Sequence, residues 1–218
     1  GDWHDVWLSE GFATYFGALF FERTEGRDRF MASMERSRNR YLRANADSPA
    51  PIHDPSIADL SDVLTGFHYV KGGWTLHMLR GIMGDTAFFA GIKDYYRRYR
   101  DGNAMTIDFQ RVMEFHANQP LDWFFQQWIY EPGHPVYKVD WSWNEQAKEA
   151  QVIITQTQSG TVYRMPMELG FYTGDTMARE KIDSNGLEQR ITVSLEAAPE
   201  RVVLDPDGWI LKEVVDGE

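Results

Sequence analysis

A single carboxylate, Glu10, lies in the most apolar stretch of the chain. Residues 6–21 read VWLSEGFATYFGALFF, and Glu10 is the one charged residue among them. A helix that is apolar on nearly all sides is typical of a buried helix. Burying an unpaired carboxylate costs on the order of several kcal/mol, so the pattern predicts a Glu10 that is protonated, paired or coordinated to a metal. From burial alone, a structural ion pair and a functional carboxylate both remain open.

A second stretch, residues 67–74, reads FHYVKGGW and has the spacing of an amphipathic helix. Its apolar stripe comprises Phe67, Val70, Trp74, Met78 and Ile82. Tyr69 lies off that stripe and is free to point elsewhere. Gly72 and Gly73 each weaken a helix by about 1 kcal/mol relative to Ala, which indicates close backbone contact with a neighbouring element. The pattern alone also fits a packing helix that carries an ordinary amphipathic tyrosine.

The histidines do not form a recognisable metal motif. The six are His4, His53, His68, His77, His116 and His134. None of them begins an HExxH sequence, and no two are separated by four positions on a helix. Each is expected to be a structural or surface residue, and the chain by itself is expected to contain no self-sufficient zinc centre.

Composition excludes several classes of function. The chain has 218 residues and a net charge of −11, so nucleic acids and anionic membranes are not expected as partners. It has no cysteine, which excludes disulfides and thiolate metal sites. No run of 18 apolar residues is free of polar groups, so no transmembrane segment is predicted. The chain opens at Gly1 with neither an initiator Met nor a signal peptide, and we expect it to be a piece of a longer protein.

Helical periodicity dominates the first 130 residues or so. The predicted helices cover residues 5–24, 27–46, 59–65, 67–83, 86–100, 106–118 and 120–130. Three prolines predict a loop over residues 47–58.

The periodicity changes at residues 131–135, which read EPGHP and break the helix. Alternating residues then predict strands near 137–144, 163–171, 191–195, 202–204 and 209–211. Residues 183–186 (DSNG) are typical of a hairpin turn. Several short strands separated by turns predict a small antiparallel β-sandwich. We therefore expect an α+β chain, with a helical domain over residues 1–133 and a β-sandwich over residues 134–218.

Two motifs resemble one enzyme family. Residues 7–16 (WLSEGFATYF) resemble the WLNEGFAxYxE segment of the gluzincin zinc aminopeptidases, the family of aminopeptidase N and leukotriene hydrolase. Residues 69–72 (YVKG) resemble the family's YxKG segment, and the spacing between the two segments suits the family. Residues 121–128 (LDWFFQQW) and 133–135 (GHP) look like the end of its catalytic domain. The resemblance implies that residues 1–133 are the C-terminal half of a thermolysin-like catalytic domain, and that the β-sandwich follows it.

The resemblance also implies roles for two residues. Glu10 matches the third zinc ligand, which follows HExxH by eighteen residues, and Tyr69 matches the tyrosine that stabilises the oxyanion of the tetrahedral intermediate. The intact parent is then expected to remove N-terminal residues from peptides with a zinc-activated water. HExxH, with both zinc histidines and the general base, is expected upstream of Gly1. The isolated chain, without that N-terminal part of the same protein, is expected to hold no zinc and to be inactive.

Two positions depart from the family pattern. Ser9 stands where Asn is common, with little expected effect. Gly17 stands where many relatives carry a Glu, so an acid that helps to orient the ligand is expected to be missing. One alternative is a non-catalytic scaffold or protein-interaction module derived from the same fold, but retention of both Glu10 and Tyr69 favours the enzyme. A weaker alternative is a helical bundle that carries a carbohydrate-binding-like β domain.

Overall fold

The structure is a computed structural model that describes residues 3–46, 49–57, 59 and 66–216. It divides into two compact units, Gly1–Gly133 and His134–Glu218. The described part of the first unit is helical and that of the second is built of strands, so the predicted α+β fold class is confirmed. Among the described residues, no helix has both the length and the apolar character needed to span a membrane.

Five α-helices are described in the first unit, after a short 3-10 turn at Trp3–Asp5. They are α1 (Trp7–Glu25), α2 (Arg27–Asn45), α3 (Gly66–Tyr99), α4 (Thr106–Ala117) and α5 (Asp122–Phe125), and a π-helical turn, Gln126–Tyr130, continues α5. Their core is made of large side chains that are 0% exposed, among them Trp7, Tyr15, Phe30, Phe88 and Phe109. The short helix predicted over residues 59–65 lies outside the described residues, apart from residue 59.

The long helix α3 is kinked. Separate helices were expected over residues 67–83 and 86–100, and the structure instead forms one element, Gly66–Tyr99, that bends at Gly84. Gly84 has φ +74°, a conformation that favours glycine. Arg80 and Asp85 form an ion pair across the bend, with 2.7 Å between Nε and Oδ1. The break was placed correctly by the sequence, but the helical turns on either side of it are contiguous.

Seven strands are described in the second unit. They are β1 (Val136–Asn144), β2 (Glu149–Gln156), β3 (Met165–Thr173), β4 (Thr176–Ser184), β5 (Glu188–Ser194), β6 (Arg201–Leu204) and β7 (Glu213–Asp216). They form a four-stranded sheet in the order β5-β2-β1-β7 and a three-stranded sheet in the order β4-β3-β6. Alternate residues of β2 and β3, such as Val152 and Leu169, are buried and supply the core. Most pairs are antiparallel, but β1 and β7 are parallel.

Two local predictions in this unit are wrong. Residues 183–186 do not close a hairpin: Asp183 and Ser184 end β4, which pairs with β3, whereas β5 pairs with β2 in the other sheet. Residues 209–211 are not a strand. The Asp205 carboxylate accepts the backbone N–H groups of Trp209 and Ile210, each at 2.9 Å, and this curls the segment away from a ladder.

Candidate active site

Glu10 lies in the first turn of α1, where a negative charge is favoured by the positive end of the helix dipole. Its neighbours Trp7 and Leu8 are 0% and 6% exposed, but Glu10 itself is only half-buried. The apolar sequence predicts a buried helix, and the structure instead leaves this position of α1 partly exposed. The carboxylate lies at the edge of the helical core, within reach of a ligand.

A separate face of α1, which does not include Glu10, also lies open. An open groove of about 1280 Å³, here called the aromatic groove, runs between α1, the second half of α3 and residues 102–104. Its aromatic members are Trp3, Phe12, Phe16, Phe89, Tyr95, Tyr96 and Tyr99. Phe16 is 41% exposed and Tyr96 is 66% exposed. Apolar residues on every side of a helix predict burial on every side, and here one apolar side faces a groove instead.

Glycines bring α1 and α3 into backbone contact. A Cβ atom added to Gly11 would lie 2.8 Å from the carbonyl carbon of Gly72, and one added to Gly72 would lie 3.0 Å from Cα of Gly11. A Cβ on Gly73 would meet the Thr14 side chain at 3.0 Å. The close approach predicted from the two glycines of α3 is thus present, and the first of them contacts the residue that follows Glu10.

This crossing brings Glu10 and Tyr69 together. The Tyr69 hydroxyl lies near enough to the Glu10 carboxylate for hydrogen bonding between them, more than desolvation, to raise the pKa of Tyr69 above its usual value. Both side chains are half-buried, so the pair is accessible from solvent. Two residues from separate motifs, 59 positions apart in the sequence, thus interact.

Lys71, two residues beyond Tyr69, was not picked out from the sequence. It is 0% exposed, and its Nζ donates to the backbone carbonyl of Glu131 at 3.0 Å. Burial lowers its pKa to about 7, and the Glu131 carboxylate opposes that shift only in part. Lys71 is a charged residue in an otherwise apolar helical stretch. The same pattern drew attention to Glu10, so Lys71 could have been found from the sequence.

A second buried network fixes the start of α1. Asp5 accepts hydrogen bonds from the Thr106 hydroxyl at 2.5 Å and the Thr106 backbone N–H at 3.1 Å, and it lies 3.2 Å from His53 Nδ1. Burial raises the pKa of Asp5, but the bonds from His53 and Thr106 outweigh it and the net pKa is lowered. The Trp7 indole donates to the same Thr106 hydroxyl at 2.8 Å. Thr106 therefore ties α4 to the turn that carries Glu10.

A third network holds the far end of α1 against α3. Arg80 donates to Glu22 at 2.7 Å and to the Tyr15 hydroxyl at 3.4 Å, and that hydroxyl lies 3.2 Å from His77 Nδ1. Burial raises the pKa of Tyr15 to about 12.

Gly17 stands at the position where many relatives are expected to carry an acid that orients the ligand. It is exposed, and a Cβ there would meet no described atom within 4 Å.

The described residues do not contain a complete metal centre. No three His, Asp or Glu side chains among them are grouped to hold a metal ion. Glu10 nevertheless fits the part of one ligand, because its carboxylate is half-buried at the edge of the core and interacts with the neutral Tyr69 hydroxyl. Carboxylate oxygen is a normal zinc donor, but a structural or catalytic zinc site needs three or four protein ligands.

Comparisons with known proteins agree on one family. The model of the "Peptidase family M1 domain" matches residues 1–128. The chain is 31% identical to aminopeptidase N of Streptomyces lividans over 139 residues, which is 60% of this chain and 16% of that protein. It is 29% identical to glutamyl aminopeptidase of Bitis rhinoceros over 142 residues, 63% of this chain and 15% of that protein.

Two further matches extend past the helical unit. Aminopeptidase M1-C of Oryza sativa is 25% identical over 183 residues, 81% of this chain and 21% of that protein. In fold, the chain resembles aminopeptidase A of Legionella pneumophila, solved in complex with aspartic acid, with a TM-score of 0.79 and 17% identity. That match covers 100% of this chain and 25% of the other. The chain thus spans between a seventh and a quarter of these relatives.

Proposed function

Because the chain belongs to the peptidase family M1, we propose that it is part of a zinc-dependent aminopeptidase, which hydrolyses the N-terminal peptide bonds of peptide substrates. The observation that carries the proposal is the interaction of Tyr69 with Glu10 at the crossing of α1 and α3. It joins the two motifs that the family resemblance singles out. A fold retained for packing alone has no need of an accessible carboxylate and phenol at the same helix crossing.

In this proposal Glu10 is one of three protein ligands of the zinc, and the other two lie outside this chain. When bound, the metal supplies a Lewis acid that lowers the pKa of a coordinated water toward ~7. Glu10 is suited to its part because its helix is anchored near Trp7 by the bond to Thr106 and at Glu22 by the bond from Arg80. A ligand on a helix fixed near both ends keeps its position when the metal binds.

Tyr69 has the second role. Its hydroxyl is a neutral donor, and its raised pKa keeps it protonated at neutral pH. In the intact enzyme this hydroxyl donates to the oxyanion that develops on the scissile carbonyl, beside the carboxylate it contacts here. Removing one such donor from an acyl-transfer site typically costs about 3 kcal/mol of transition-state stabilisation.

The alternative is a scaffold or protein-interaction module that keeps the fold without the chemistry. The exposed aromatic residues Phe16 and Tyr96 of the aromatic groove are what favours it, since such surfaces often bind protein partners. The two functions make different demands on Glu10. A scaffold tolerates the loss of this carboxylate, whereas a zinc enzyme does not.

The experiment compares the intact parent protein with its Glu10→Gln variant. We expect the purified parent to contain stoichiometric zinc and to hydrolyse an aminoacyl-arylamide, and the variant to lose both. Glu25→Gln is the matched control, because Glu25 is on the same helix and its one ion pair among the described residues is an exposed pair with Arg29. A parent without zinc or activity, or a Glu10→Gln variant that retains both, would refute the enzyme and leave the scaffold.

A further inference from the structure

Tyr69 lies in the first described turn of α3, Gly66–Tyr99. A hydroxyl that must meet a carboxylate on another helix needs a fixed position. Contacts from outside the helix have to hold it.

Lys71 provides one such contact. Side chains in a helix lean back toward its N-terminus, and the Lys71 ammonium accordingly lies 5.8 Å from the ring centroid of Phe67, one turn earlier. From there Nζ donates to the carbonyl of Glu131 at 3.0 Å. The side chain therefore spans the turn that carries Tyr69 and fastens it to the segment after the π-helical turn.

The same segment is held from a second side. The Tyr41 hydroxyl of α2 donates to the carbonyl of Gly133 at 2.9 Å, and its ring packs on Phe67 with 5.3 Å between centroids. Lys71 and Tyr41 thus bond to carbonyls two residues apart, with Phe67 between them. The acceptor for Lys71 is part of a fixed segment, as a brace requires.

A lysine is a poor choice at this position if stability is the only demand. Its side chain is 0% exposed, and among the described residues its amine makes one hydrogen bond. Taking an ammonium out of water is costly, and the lowered pKa of Lys71 is the measure of that cost. Methionine has nearly the same length and would fill the space without a polar group to satisfy.

We propose that Lys71 is a positioning residue for the aminopeptidase reaction. Its side chain braces the first described turn of α3 against the Glu131 carbonyl, so that the Tyr69 hydroxyl faces Glu10. The proposal rests on the proposed function. Lys71 touches neither the substrate nor the metal in this role. Its effect on the reaction passes through the Tyr69 hydroxyl and vanishes when that hydroxyl is absent.

The test is a double-mutant cycle in the intact parent, with Lys71→Met, Tyr69→Phe and both together. We expect Lys71→Met to lower kcat roughly 10- to 100-fold, because a displacement of about 1 Å is enough for such a loss, with KM within about twofold. Zinc content should be unchanged. The melting temperature should be unchanged or higher. In the Tyr69→Phe background, adding Lys71→Met should change kcat less than about twofold. Lys93→Met makes the same change at an exposed position of α3 and should leave kcat unchanged in both backgrounds.

Two results overturn the inference. One is a Lys71→Met loss of the same size with and without the Tyr69 hydroxyl, which makes Lys71 a general structural residue. The other is a kcat of the Lys71→Met variant within about twofold of wild type, when Tyr69→Phe does lower kcat in the same enzyme. If Lys71→Met does not fold, Lys71→Gln, which keeps a shorter N–H donor, takes its place in the cycle, and failure of both to fold also assigns Lys71 to the fold alone. A parent without any aminopeptidase activity would instead refute the proposed function.

Discussion

Gly11 of α1 and Gly72 of α3 touch through their backbones, with 2.8 Å between a Cβ built on Gly11 and the carbonyl carbon of Gly72. Glu10 precedes the first glycine, and Tyr69 lies nearly one turn before the second. The separation of the two helices at this point therefore sets the distance between the carboxylate and the hydroxyl. No side chain can be added at the contact without moving one helix.

We expect Gly11→Ala to destabilise the 218-residue chain by about 1–3 kcal/mol, because the new methyl group would overlap backbone atoms, which cannot rotate away. Urea unfolding measures this change. In the intact parent the same variant should also lose activity, since pushing α1 from α3 separates Glu10 from Tyr69.

Gly17→Ala is the matched control on the same helix. A Cβ at Gly17 meets no described atom within 4 Å, and alanine stabilises an exposed helical position by about 0.5–1 kcal/mol relative to glycine. The two substitutions are therefore expected to have opposite signs. Equal effects at both positions would show that the Gly11 contact does not constrain the helices.

We expect Tyr69→Phe to lower kcat of the intact parent roughly 100- to 1000-fold with KM little changed, because the hydroxyl is needed in the transition state and not for substrate binding. Zinc content should stay the same, since Tyr69 is not a proposed ligand. Hydrolysis of an aminoacyl-arylamide and metal analysis measure both. Tyr96→Phe, at a position of α3 that is 66% exposed, is the control. A near-normal kcat in Tyr69→Phe would remove the tyrosine from the mechanism.

The isolated 218-residue chain should bind zinc weakly and show no peptidase activity. Among its described residues Glu10 is not joined by two further metal-binding side chains, and one carboxylate cannot replace a three-ligand site. Titration calorimetry with zinc measures the binding. Stoichiometric submicromolar affinity that disappears in Glu10→Gln would contradict the expectation.

The stability of the chain should depend on pH through Lys71. The pKa of a lysine in the unfolded chain is about 10.4, and that of Lys71 in the folded chain is about 7. Between these values the unfolded state binds more protons, so stability rises with pH, by at most about 1.4 kcal/mol per pH unit from this residue.

Urea unfolding of the chain and of its Lys71→Met variant between about pH 7 and about pH 9 isolates this contribution. The free energy of unfolding of the wild-type chain should rise relative to that of the variant as the pH increases. A difference that stays constant over this interval would mean that Lys71 does not titrate there.

Much of the first unit could be predicted from the sequence because its helices carry strong apolar periodicity. The kink at Gly84 coincides with the predicted break, and α4 begins at the predicted Thr106. The interaction between Glu10 and Tyr69 was harder to predict, because it depends on a helix crossing that the sequence indicates only through two glycines. Lys71 was missed because its neighbours read as a packing helix.

The second unit was harder to predict because a local signal does not name a strand's partner. The DSNG sequence at residues 183–186 is typical of a hairpin turn, yet Asp183 and Ser184 end β4, and the strand that follows, β5, pairs in the other sheet. Asp205 keeps Trp209 and Ile210 out of a strand with two bonds to their backbone N–H groups, although both residues have strong strand propensity. Both the strand pairing and the conformation of residues 209–211 depend on contacts that the alternation of residues along a strand does not predict.

The parallel pairing of β1 with β7 has a consequence for synthesis. Residues Val136 and Glu213 are register partners, the Glu213 N–H donates to the Pro135 carbonyl at 3.1 Å, and the Glu213 carboxylate lies 2.8 Å from His134 Nε2. Among the described strands of the second unit, the first is thus bordered by the last. As the chain emerges from a ribosome, one edge of β1 stays open until Asp216 has cleared the exit tunnel. That open edge is the kind of surface that chaperones bind, and it closes only when β7 has been made.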